Sequence, residues 1–205
     1  MGLLRKGFRA LAQRLVLVAP TDDGVFHDAK MAYGKAAYKR GDDKTAVRLL
    51  LPLAIVGDAE AQFLIGSNSA FDGEARRWLG KAAEQGHAEA QFQYGKRIGG
   101  VEGYRWYEKA AAQGHAEAQK FFADTKKAAE QGFTAAQTKL GIMYVLGLGV
   151  PKDYVTAYMW LNLAATQGDE MAQQGRERLA KRMTRHQIVE ANGRLTKAIR
   201  RPFAA

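Results

Sequence analysis

One short phrase constrains this chain more than anything else in it, because the chain writes it several times. Ala82–Phe92 reads AAEQGHAEAQF, and Ala110–Lys120 reads AAAQGHAEAQK, 28 residues later. The common core starts at Gly57, Gly86, Gly114, Gly132 and Gly168, at spacings of 29, 28, 18 and 36 residues. Self-similarity at a period of roughly 20–50 residues marks a stacked repeat. One supersecondary unit cannot bury its apolar face alone, and stacking on its neighbours completes the core.

Each unit reads as two helices. The glycine after AAEQ or AAAQ can adopt the left-handed conformation that closes a helix. Asp58 and Asp169, directly after it, suit the N-cap of the next one. The small alanines that follow allow two helix backbones to approach closely. The most complete unit runs from Gly132 to Gln167. Ala136, Leu140, Met143 and Tyr144 share one face of its first helix. GLGVPKD makes the turn, with glycines for positive φ and Pro151 to stop the helix. Tyr154, Tyr158, Leu161 and Ala165 line the second helix with Trp160 beside them, and this aromatic row reads as core. Only four prolines in 205 residues, with abundant Ala, Gln, Lys, Arg and Leu, agree with an all-helical chain.

Ala136, Leu140, Gly141, Tyr144, Gly147, Gly149, Val150, Asp153, Ala157, Trp160, Ala164, Ala165 and Gly168 together resemble the Sel-one-like repeat, a relative of the tetratricopeptide repeat. The resemblance covers roughly residues 30–190. It implies an all-α fold, an α/α solenoid of stacked helix-turn-helix repeats with terminal capping helices. It also implies a non-catalytic scaffold or adaptor that holds a partner peptide or helix on a concave face, in signalling, envelope biology or protein quality control. AYKRGDDKTAVRLLLPLAIVGDAEAQ is similar to the opening helix pair of such proteins, and RMTRHQIVEANGRL to their closing helix. In the latter, Thr184 and Gln187 form a capping-box pattern.

The departures matter too. The units beginning at Gly57 and Gly86 lack the GLGVPKD turn but keep Trp78 and Trp106. These tryptophans, with Trp160, are expected to serve stability, Trp160 as a buried residue. The unit beginning at Gly114 is shorter still. His115–Gly132 is expected to be one continuous helix, the alternative being two short helices broken at Asp124 and Thr125. The expected organisation is a basic N-terminal helix or degenerate leader over 1–25 and a solenoid over 26–183. Its repeats lie near 57–85, 86–113, 114–131 (truncated) and 132–167. A basic capping helix and tail over 184–205 completes the chain.

Charge is uneven. The net charge is +10, of which residues 1–19 supply +4 and residues 176–205 supply +7, leaving the middle at −1. The candidate partner-binding residues are Arg176, Arg178, Lys181, Arg182, Arg185, Arg194, Arg200 and Arg201. Such a tract can meet an acidic protein, an anionic membrane surface or nucleic acid, or can simply be a solvated cap. Nucleic acid is the least supported of these, because no basic pattern interleaved with aromatics accompanies the tract. A peripheral membrane adaptor held by both basic termini is the alternative reading. The apolar run LVLVA falls short of the roughly 7–15 residues of a signal-peptide core. A cytoplasmic location is therefore favoured, with export if residues 1–19 act as a short leader.

Little in the sequence points to chemistry. The chain has no cysteine, which excludes disulfides, thiolate catalysis and cysteine zinc sites. His87 and His115 occupy the same repeat position beside a helix start, without a third ligand at a set spacing, so no metal or cofactor is expected. Ser67 and Ser69 read as a loop in GSNSAFDG, and GGVEG reads as a turn. Glu60, Glu89 and Glu117 form a ladder of first-turn acids that favour the helix dipole. An enzyme, such as a hydrolase with a site not visible here, is the least supported function.

Overall fold

The computed structural model describes residues 24–68 and 72–200. Residues 1–23, which hold most of the expected basic N-terminal helix or degenerate leader, Ser69 and Arg201 fall outside them, as does the side chain of Arg200. The described residues form eleven helices and no strand. They are α1 (Gly24–Lys39), α2 (Asp43–Val56), α3 (Ala59–Asn68), α4 (Asp72–Glu84), α5 (Ala88–Ile98), α6 (Gly100–Ala112), α7 (Ala116–Glu130), α8 (Thr134–Leu146), α9 (Tyr154–Thr166), α10 (Glu170–Ala180) and α11 (Arg185–Arg200). The fold is the all-α helical-repeat architecture of the solenoid class. The described residues divide into two compact units, one ending at Gly99 and the other beginning at Gly100.

The recurrent glycine explains how the chain turns without losing hydrogen bonds. Gly57, Gly86, Gly114, Gly132 and Gly168 all have φ between +85° and +111°, the left-handed region that side chains avoid. In each case the amide of the following residue reaches back to a carbonyl in the last turn. Asp58 donates to Leu53, His87 to Ala82, His115 to Ala110, Phe133 to Ala128 and Asp169 to Ala164, at 3.0–3.2 Å. These are Schellman closures, which satisfy carbonyls that a helix end would leave open. At four of the five sites the same residue then caps the next helix with its side chain. Asp58 accepts from the Ala61 amide and Asp169 from the Ala172 amide, both at 2.7 Å.

In the first unit α1 packs on α2, α2 on α3, α3 on α4 and α4 on α5. Its core joins Leu50, Leu51, Leu53, Leu64, Ile65 and Trp78, with Ala46, Ala54 and Ala61 between them. Helices α3 and α4 approach so closely that a Cβ on Gly66 would lie 2.9 Å from the backbone nitrogen of Leu79. Ser67 does not lie in the loop that GSNSAFDG implies. The structure carries α3 on through Ser67 and Asn68, whose side chains fasten this last turn. Ser67 Oγ donates to Gln93 Oε1 at 3.1 Å, and Asn68 Nδ2 donates to Asp43 Oδ1 at 3.0 Å.

In the second unit α6 packs on α7, α7 on α8, α8 on α9, α9 on α10, and α11 folds back onto α9. Segment 116–130 is one helix, α7, with Thr125 buried and its hydroxyl donating to the Phe121 carbonyl at 2.7 Å. It therefore continues through Asp124 and Thr125. Only Gly99 and Gly100 of the GGVEG segment turn, at φ 64° and 59°, and the rest of it is the first turn of α6. The α8–α9 pair is built as its sequence implies. Leu140, Met143 and Leu161 are at most 1% exposed, and Tyr144, Tyr154, Tyr158 and Ala165 pack around Leu161, Ala164 and Leu179. Trp160 departs from expectation. It is only partly buried, because the inward face of α9 is held by Ala157, Leu161 and Ala164, and Trp160 stands at its flank. Trp106 is also partly buried, whereas Trp78 is 8% exposed. The closing helix starts at the expected capping box. Gln187 Oε1 accepts from the Thr184 amide at 2.8 Å, and Thr184 Oγ1 accepts from the Gln187 amide at 3.2 Å.

Candidate functional site

The residues that repeat with the motif are engaged in holding helices. His87 and His115 are N-caps, taking the part that Asp58 and Asp169 play elsewhere. Their Nδ1 atoms accept from the amides of Ala90 and Ala118, both at 3.2 Å. An accepting Nδ1 carries no proton, so the neutral ring is the Nε2–H tautomer. In His87 that Nε2–H faces Glu60 Oε2 at 2.9 Å, and the ring stacks on Phe63 at 4.6 Å. Lys35 Nζ meets the other oxygen of Glu60 at 2.9 Å. Partial burial pushes the Glu60 carboxyl up, but the hydrogen bonds from Lys35 and His87 prevail and hold it below its usual value. The first-turn acid of this unit is thus also a bridge between α1, α3 and the cap of α5. Glu89, one repeat on, accepts from Gln93 at 2.8 Å.

A second recurrent device is not apparent from the repeated motif alone. A glutamine stands five residues after every repeat glycine, at positions 62, 91, 119, 137 and 173. Four of them donate Nε2 to a carbonyl in the last turn of the preceding helix: Gln62 to Ala54, Gln91 to Ala83, Gln119 to Ala111 and Gln137 to Ala129, at 3.0–3.3 Å. Gln62 and Gln137 in turn accept from Gln85 at 2.8 Å and Gln167 at 2.7 Å. The glutamine that precedes one repeat glycine so touches the glutamine that follows another. The constant five-residue offset was the signal that could have revealed this. Gln173, in the last repeat, is exposed and turns to Glu177 instead.

The basic tract divides by engagement. Arg194 is tied to Thr156 Oγ1 at 2.7 Å, Asp153 at 3.4 Å and Glu190 at 2.7 Å, fastening α11 to the start of α9. Partial burial raises the Asp153 carboxyl, but hydrogen bonds from Thr156 and Val155, with the Arg194 charge, keep it below its usual value. Arg176 donates to Asn162 Oδ1 at 2.8 Å. Arg178 donates Nε and Nη2 to its own helix neighbour Gln174. Lys181, Arg182 and Arg185 are all exposed.

Beside Arg178 and Arg182 the second unit opens into a cleft of about 350 Å³. Ile142, Val145 and Leu146 of α8 form one wall, and Met171, Gly175 and Leu179 of α10 the other. Leu161 of α9 and Val101 of α6 complete the apolar lining. The lining is apolar apart from the two arginines, and no acidic side chain contributes to it. Met171 is 64% exposed and Val101 40% exposed, so large apolar side chains face solvent here. Among the described residues no helix is long and apolar enough to cross a membrane. The Lys35, Glu60 and His87 group lies in the first unit and is mutually satisfied.

The model of the Sel1 repeat matches residues 72–87, 88–115 and 134–169. No curated protein is similar enough to match. Solved structures that match include a protective antigen of uropathogenic Escherichia coli displaying an SLR fold, at 27% identity and a TM-score of 0.40. That match covers 84% of this chain and 45% of the antigen. A Sel1 repeat protein from Oxalobacter formigenes matches at 29% identity with a TM-score of 0.37, over 67% of this chain and 49% of that one. The chain thus spans a little under half the length of both.

Proposed function

We propose that this chain, which carries three Sel1 repeats, is a non-catalytic scaffold that holds a segment of a partner protein in the cleft between α8 and α10 of its second unit. Sel1 repeats mediate protein–protein contacts as a class. The observation that carries the reading for this chain is a division of labour. The recurrent polar residues hold helix to helix, whereas α8 and α10 present an open apolar cleft. Such a cleft suits a partner helix or extended segment anchored by apolar side chains. Its surface can vary without disturbing the caps and glutamines that maintain the stack.

Site-specific photo-crosslinking in cells of the source organism tests this. A photoreactive amino acid at exposed Met171 is expected to give a discrete adduct with another protein. The same group at Lys126, exposed on α7, serves as the control. Equal adducts at both positions would contradict the location, and no adduct at either would contradict the scaffold reading.

A further inference from the structure

Resting on that scaffold reading, we infer that the cleft between α8 and α10 is specific for partner segments in which a large aliphatic or aromatic side chain lies close to Asp or Glu. The apolar part follows from the walls. Val145, Leu146 and Met171 offer a concave surface with no buried polar group to satisfy, and about 350 Å³ accommodates a bulky side chain rather than a whole folded element. Burying such a side chain there removes apolar area from water on both partners.

The acidic part follows from the rim. Arg178 and Arg182 both line the opening, and neither has an acidic partner among the described residues. This sets them apart from Arg194, which has two acids of its own. The contacts of Arg178 with Gln174 use Nε and one Nη2 hydrogen and hold the guanidinium at the rim, leaving further N–H donors for a carboxylate. Lys181, exposed between them in sequence, adds to the positive field. A segment with Lys or Arg beside its apolar anchor would meet like charge at the same place. By that argument the chain's own N-terminal stretch is excluded as the occupant, because residues 1–19 hold Arg5, Lys6, Arg9 and Arg14 and no acid. A carboxylate paired with an exposed arginine contributes modestly and is screened by salt. The apolar anchor therefore sets the bulk of the affinity, and the arginines decide which anchors are accepted.

Selection of displayed random 12-residue peptides against the full-length chain tests the inference directly. The enriched peptides are expected to combine a bulky apolar residue with a nearby Asp or Glu. Their affinity, measured by fluorescence anisotropy with synthetic peptides, is expected to fall about tenfold or more in the double variant R178E/R182E. The same peptides with Asp and Glu changed to Lys should regain binding to that variant. Both arginines are surface residues, and an unchanged helical circular-dichroism melt would show that the variant is folded. A second variant, Met171→Lys, should weaken binding while leaving the acid preference of residual binders intact. Enriched peptides without acids, or acidic ones indifferent to R178E/R182E, would overturn the cleft's assignment and leave the scaffold reading standing. If no peptide is enriched, both fall.

Discussion

Replacing Gln137 by Leu tests whether the repeat-spaced glutamines hold the stack. Gln137 is fully buried. Its Nε2 donates to the Ala129 carbonyl at 3.3 Å, and its Oε1 accepts from Gln167 at 2.7 Å. Leucine has similar bulk and makes neither bond. The damage is bounded, because the Ala129 carbonyl keeps the Gly132 amide at 3.1 Å and Gln167 keeps a long contact to the Leu163 carbonyl at 3.4 Å. Neither group is wholly orphaned, so each lost bond is worth about 0.5–1.5 kcal/mol rather than the full cost of an unsatisfied buried group. The two together give about 1–3 kcal/mol, a fall in Tm of about 2–4 °C for each kcal/mol in a chain of this size. Gln119→Leu is the control. It removes the same kind of bond, at 3.2 Å to Ala111, from a glutamine that is exposed. It should stay within about 0.5 kcal/mol of the parent. Urea unfolding followed by circular dichroism measures both. Equal losses from the two variants, or a gain from Gln137→Leu, would refute the argument that buried glutamines bind successive helices.

Trp78→Ala, which empties a position 8% exposed, should cost about 3–5 kcal/mol, and Trp160→Ala clearly less, in the same unfolding assay. Gly66→Ala places a Cβ 2.9 Å from the Leu79 backbone nitrogen, so α3 and α4 must move apart at about 1–3 kcal/mol, read as a lower Tm. Acid should destabilise through two carboxylates. Glu60 and Asp153 have folded pKa values below their unfolded ones, so their contribution is complete above the unfolded values of 4.5 and 3.8 and disappears as pH falls through the folded ones. Tm should therefore decline below about pH 4.5, and E60Q should flatten part of that decline.

Much of the fold could be read from the sequence because the repeat glycines are forced by backbone geometry. A positive φ at Gly57, Gly86, Gly114, Gly132 and Gly168 leaves almost no other residue, so the helix ends are written in the chain. Asp58, Asp169 and the Thr184–Gln187 box were equally legible, since a cap is a local interaction. The histidine caps were harder to see. An imidazole can bind a metal, act as a base or accept from an amide, and only the backbone path decides among these. The glutamine struts join residues eight apart across a turn, and their bonding depends on how the second helix leans on the first. The exposure of Trp160 depends similarly on the rotation of α9. The cleft was least legible of all. Val101, Val145, Met171 and Arg182 share no spacing in the sequence and meet only through packing.

The central claim is that the repeated residues hold the helices together while recognition belongs to unrepeated residues around the cleft. A saturation mutagenesis scan of the whole chain, read out by resistance of each variant to proteolysis, tests it most directly. The expected result is sharp loss of resistance at the repeat glycines, at Asp58, His87, His115 and Asp169, and at Gln62, Gln91 and Gln137, with wide tolerance at Val101, Met171, Arg178 and Arg182. Broad tolerance at the caps and buried glutamines, or intolerance centred on those four cleft residues, would contradict it.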